Sequence, residues 1–205
     1  MPRSSSTAPP PPGADSKRDA VFDAAAEVFA QYGFRRTAMN DIARAAGMSR
    51  PALYLMFANK EALFRELAAH RQAQALAAAS NTLAMQTPFR ARFAEAIQVY
   101  EQILYEPIAP SPHSAEFLDL KTGVSTDVIQ QGHTKLVTSL TKALEAAEHQ
   151  GEVSCREIDQ TARSFVELLL SALNGVKGKA TSVRAFRKQS KALVRVFLEA
   201  ISLAD

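Results

Sequence analysis

Apolar residues recur at three- and four-residue spacing along most of the chain, and no alternating pattern suggests a strand, so the sequence predicts an all-α protein. The first stretch carries Val21, Phe22, Ala25, Val28, Phe29 and Tyr32 on one stripe, with Asp15 placed to cap its start. Two much shorter segments follow, and then a long helix that starts after Asn59 and runs into the eighties, ahead of Pro88. Pro107-Ile-Ala-Pro-Ser-Pro112 breaks the next helix, and beyond it Val128, Ile129, Leu136, Val137, Leu140 and Leu144 mark a long one that should stop near Gly151. Ser154-Cys-Arg-Glu157 has the form of a capping box, opening a helix through Phe165, Val166, Leu169, Leu170 and Leu173 to about Asn174-Gly175. A final helix carries Phe186, Leu193, Val194, Phe197 and Ile201.

The two short segments hold the most specific chemistry. Helices joined by a turn of a few residues must approach closely, which needs small side chains at the crossing. Ala43 and Ala46 supply them, and Gly47 stands where the first helix must end in a left-handed conformation that costs glycine almost nothing. Ser49 offers an N-cap hydroxyl, and Pro51 gives up an amide hydrogen that would lack an intrahelical partner anyway. Ile42, Ala46, Met48 and Leu53 can face a shared core, which turns Asn40, Arg50, Ala52 and Tyr54 outward. Residues 37–60 therefore read as a helix-turn-helix, a device for setting one helix into the DNA major groove. Arg50 has the reach for a guanine edge or a phosphate, and Ala52 is small enough for close approach to bases. Thr37 is expected to cap the first short helix, where its hydroxyl and the free amides can receive a phosphate oxygen. Lys60 falls at a helix N-terminus, where the dipole disfavours a cation unless an anion such as phosphate sits beside it. The competing reading makes Arg50 and Lys60 solvated charges and Tyr54 a packing residue.

Tyr32-Gly33-Phe34-Arg35-Arg36-Thr37, Asp41-Ile42-Ala43-Arg44-Ala45-Ala46-Gly47-Met48-Ser49, Leu53-Tyr54-Leu55-Met56-Phe57 and Asn59-Lys60-Glu61-Ala62-Leu63 follow one another in an order and spacing that resembles the TetR family of bacterial transcriptional regulators. The resemblance covers residues 15–67. It implies phosphate-contacting roles for Thr37, Tyr54 and Lys60 and base-facing roles for Asn40, Arg50, Pro51 and Ala52. Pro51-Ala52 stands where many relatives have Gly-Thr or a similar pair, and Met56 where a polar or aromatic residue is common, so no relative's operator can be borrowed. The implied architecture is a tail (1–14), a three-helix helix-turn-helix domain (15–61) and a helical effector-binding and dimerisation domain (62–205).

Charge agrees with this division. Residues 1–60 hold 8 Lys/Arg against 5 Asp/Glu and the rest 16 against 16, so the whole excess of +3 sits in the proposed DNA-binding segment. A second basic cluster, Lys177 to Arg195, reads as a solvated helix face. The Pro/Ser-rich residues 1–14 lack the apolar centre of a signal peptide, and no apolar run reaches the roughly 18 residues that span a bilayer. With one cysteine, Cys155, a cytoplasmic protein is expected, nucleoid-associated when DNA-bound. The last two helices look apolar over more than one face, which predicts a homodimer through Phe165, Leu169, Leu173, Leu193 and Phe197. A small apolar effector would be enclosed by the middle helices, with Tyr100, Leu104, Phe117, Ile129, His133 and Phe165 as candidate walls. The expected partners are thus a palindromic double-stranded operator, that effector and a second copy of the chain, with no membrane, cofactor or metal. No Gly-x-Ser-x-Gly, His-Glu-x-x-His or phosphate-cradling glycine loop supports catalysis. The alternatives are a ligand-independent architectural DNA binder and a helical interaction or redox-sensing protein acting through a low-pKa Cys155.

Overall fold

The computed structural model describes residues 14–114, 116 and 123–203, the side chains of Ala14, Asp15 and Glu157 excepted. The tail reading for residues 1–13 and the wall candidate Phe117 lie outside the described residues. Among the described residues there are eight α-helices and no strand: α1 (Ala14–Tyr32), α2 (Met39–Ala45), α3 (Arg50–Met56), α4 (Lys60–Leu83), α5 (Phe89–Leu104), α6 (Thr126–His149), α7 (Ala162–Lys179) and α8 (Val183–Ala200).

Side-chain caps set several of the starts. Oxygens of Ser49, Asn59, Thr161 and Ser182 accept from the amides of Ala52, Ala62, Ser164 and Ala185 at 3.3, 2.7, 3.1 and 3.1 Å. Each such cap stabilises its helix by about 1 kcal/mol. Gly47 has φ +65, and beyond it the Met48 amide returns to Ala43 O at 2.9 Å, closing the α2–α3 turn as its spacing required.

Five local expectations are corrected. Asp15 lies inside α1, which already begins at Ala14. Tyr32 is half exposed at the end of the α1 stripe. Thr37 does not cap α2: the extended residue before the helix is Ala38, whose amide donates to the Asp41 carboxylate at 3.0 Å. The segment from Ser154 does not open a long helix, because tertiary bonds claim it first. The Ser154 amide donates to Ile201 O at 2.8 Å and the Cys155 amide to Glu148 Oε1 at 2.8 Å. Only a 3-10 turn, Arg156–Ile158, forms before the chain reverses at Asp159 (φ 53) and α7 starts at Ala162. Finally, α7 runs through Asn174-Gly175 to Lys179, its last turn held by a contact between Lys177 and Glu101 of α5.

Two hydrophobic cores result. One is built from α1, α2, α3 and the start of α4 around Phe29, Ile42, Leu53, Phe57 and Leu63. The other gathers Phe93, Ile97, Leu140, Leu144, Val166 and Leu169 from α5, α6 and α7. Helix α4, about 36 Å long at 1.5 Å per residue, enters both: Leu63 and Leu67 belong to the first, Ala75 and Ala79 to the second.

Candidate nucleic-acid interface and ligand cavity

The first core fixes how α3 is presented. Leu53 and Phe57 are buried beneath it, while Arg50, Pro51, Tyr54 and Leu55 are exposed and Ala52 is half-buried. The Arg50 guanidinium lies 5.4 Å from the Tyr54 ring centroid, the i, i+4 spacing that brings a cation over an aromatic face. Asn40 and Arg44 are exposed on α2, Arg44 paired with Asp41 at 3.0 Å. Leu55, outside the set expected from the sequence, is the most exposed large apolar side chain among the described residues at 90%. Its position four residues after Pro51 was the available signal.

The two residues assigned to phosphate from helix-terminus arguments are engaged inside the chain. Thr37 is buried and its hydroxyl donates to Gly33 O at 2.7 Å. The Lys60 ammonium donates to Phe34 O at 2.8 Å and Thr37 O at 2.9 Å, 4.5 Å from the Phe34 ring centroid. Carbonyl oxygens thus supply the negative charge that the dipole argument demanded beside Lys60.

Behind this domain lies a cavity of about 750 Å³. Of the candidate walls, Tyr100, Leu104, Ile129 and His133 line it, and Phe165 does not; Phe165 packs edge-on against Phe197 with centroids 5.6 Å apart. Helix α1 adds Ala26, Phe29 and Ala30 to the lining, and α4 adds Phe64, Leu67, Arg71 and Gln72, none of them expected there from the sequence. These contacts pair residues far apart in the chain, which periodicity cannot register.

A polar cluster interrupts the apolar wall. The buried Gln72 amide donates to the Tyr100 hydroxyl at 2.5 Å, and burial pushes that hydroxyl up to about 12, with Glu101 adding to the shift and Gln72 opposing it. Lys177 Nζ lies 2.7 Å from Glu101 Oε2, a close ion contact outside hydrogen-bond geometry, and 5.3 Å from the Tyr105 ring centroid. Burial first and Glu101 second raise the Tyr105 hydroxyl as well.

The segment after α5 ties this body to the first domain. Ser111 donates to Ala30 O at 2.8 Å, the Arg35 amide to Glu116 Oε1 at 2.7 Å, and Arg65 of α4 reaches Val124 O at 3.1 Å and forks onto Asp127. The Arg65 hydrogen bond holds the Asp127 carboxyl below its ordinary range.

One further expectation fails on geometry and another is narrowed. Cys155 is buried at 1% exposure, and burial first, then Glu148, pushes its thiol up to about 12, the opposite of a reactive thiolate. Phe165, Leu169 and Leu173 are consumed by the chain's own core, and Leu193 and Phe197 pack against it half-buried. The large apolar side chains left exposed on α7 and α8 are Leu168 and Val196. Among the described residues no group of three His, Cys, Asp or Glu could hold a metal ion, and no helix is long and apolar enough to cross a membrane.

A three-helix helix-turn-helix domain carried on a helical body by one continuous helix is the class that this fold defines. Residues 21–67 match the sequence model of the bacterial regulatory proteins, tetR family. The match covers this domain, which is therefore similar to the tetR-type helix-turn-helix domain, and leaves the helical body outside it. It is 46% identical over 48 residues to the HTH-type transcriptional repressor ComR of Escherichia coli K12, a stretch covering 23% of each protein, so the match spans about a quarter of that relative's length. The fold is shared more widely. A transcriptional regulator from Cytophaga hutchinsonii superposes with a TM-score of 0.70 at 19% identity, covering 92% of this chain and 100% of the other. SmeT, the repressor of the Stenotrophomonas maltophilia multidrug efflux pump SmeDEF, superposes at 0.67 with 18% identity, covering 91% and 90%; a SmeT–triclosan complex has been solved too.

Proposed function

We propose that the protein is a DNA-binding transcriptional regulator, a homodimeric repressor released from a palindromic operator by a small, largely apolar effector. What carries the reading is α3: its inner face is locked by Leu53 and Phe57, and its outer face is left clear of the chain's own packing. Arg50, Pro51 and Ala52 then meet base edges, with Asn40 beside them, and Tyr54 with the Thr37–Lys60 turn lies toward the backbone. A second copy docked through the α7 and α8 side, around Leu168 and Val196, supplies the second reading head that a palindrome needs. Acting on bacterial DNA, the protein works in the cytoplasm.

The cavity favours a ligand-responsive regulator over a purely architectural one. Its walls include α1 and α4, so an occupant touches the DNA-binding domain itself and acts by favouring one placement of that domain over another. The likeness to SmeT, solved with triclosan, supports an apolar effector without naming it. Redox sensing has no such support, since the thiol it requires is buried.

The test is retention of sheared genomic DNA by the purified protein at moderate salt. A few discrete fragments are expected, with Arg50→Ala broadening the set and weakening its hierarchy. Uniform retention, or none, contradicts the proposal.

A further inference from the structure

The centre of the α3 outer face carries no hydrogen-bonding side chain, and this limits what it can read. Leu53 and Phe57, at 0% and 1% exposure, define the inward side of the helix. At about 100° per residue the opposite side falls between Pro51 and Leu55. Leu55 is 90% exposed there, Arg50 and Tyr54 are drawn together on one flank, and the small Ala52 lies on the other. The polar residues that could form base-specific hydrogen bonds therefore stand beside the centre of the face.

Base edges in the major groove present donors and acceptors with one exception, the C5 methyl group of thymine, which aliphatic side chains recognise by contact. A donor or acceptor placed under Leu55 would lose water and gain no partner, whereas a methyl group there would gain burial. The patch is only one leucine and one proline wide, far below the area of a stable protein interface, which argues against a protein partner. We infer that Leu55 reads thymine through its C5 methyl group, with Pro51 and Ala52 setting how closely α3 approaches. This role rests on the DNA-binding reading.

The full-length protein is offered a double-stranded DNA library with a randomised core, and affinities are measured for the enriched site with each thymine replaced in turn by deoxyuridine, which lacks only the methyl group. One thymine in each half-site should lose about fourfold on replacement, the transfer value of one buried methyl group. The same replacement should leave binding by Leu55→Ala unchanged. Because Leu55 is almost wholly exposed, this variant keeps the core intact. An enriched site in which no thymine is sensitive to replacement overturns the inference. So does a penalty that persists in Leu55→Ala. Failure to enrich any sequence would instead sink the DNA-binding reading, and the role of Leu55 with it.

Discussion

The Lys60 ammonium points into the chain, onto Phe34 O and Thr37 O, and the Thr37 hydroxyl turns back to Gly33 O. Together they tie the turn between α1 and α2. A charged donor on buried carbonyls contributes more than a solvated one, so Lys60→Ala should lower unfolding free energy by about 1–3 kcal/mol as well as weaken binding to every DNA sequence. Chemical denaturation measures the first effect, and an unchanged midpoint would return Lys60 to a purely DNA-facing role. The sequence showed the need for an anion beside Lys60 but not its source, because the carbonyls belong to residues more than twenty positions away. Leu55 was legible from helical spacing, yet it carries neither a charge nor a cap, the features that mark a DNA-facing residue in sequence. The chemistry of Cys155 was illegible for the reason that applies to Lys60: burial and the Glu148 carboxylate, both tertiary, set it.

Helix starts written in local chemistry were readable from the sequence, as at Ser49 and Asn59, whose side chains bond the amide three residues on. The box from Ser154 looked equally good and failed, since Ile201 O takes the Ser154 amide that the Glu157 side chain would have needed, and Glu148 holds the neighbouring Cys155 amide. Gly132 in the middle of α6 shows a similar tertiary override of propensity. A Cβ there would overlap the Gln72 side chain, so the glycine is what lets that side chain pass between α4 and α6 to Tyr100. Gly132→Ala gains about 1 kcal/mol of helix propensity but displaces a buried amide whose lost bond costs about 1–3 kcal/mol. The expected net result is a modest fall in thermal midpoint and an altered cavity wall. A clear rise in the midpoint would show that Gln72 relocates without cost.

The two cores and the single helix threading them form a molecule whose cavity abuts the three-helix domain, tied across the junction by Ser111, Glu116 and Arg65. The all-α architecture was legible because helical periodicity runs the length of the chain; the junction was not, because no local pattern encodes which helices close a cavity. The proposed dimer face shifted likewise. A wide apolar stripe on α7 suggested an interface, but Phe165, Leu169 and Leu173 are filled by the chain's own packing, leaving Leu168 with Val196 of α8 outward. Leu168→Glu with Val196→Glu should yield monomers by sedimentation with little loss of monomer stability, whereas Phe165→Ala should cost about 3–5 kcal/mol. A double variant that stays dimeric would place the interface elsewhere. Whether α3 of two copies reads DNA is decided by footprinting the purified protein on a retained genomic fragment. One short protected palindrome is expected, its half-sites about one helical turn, or a multiple of it, apart. Diffuse protection without symmetry, or none at all, would refute a paired reading head.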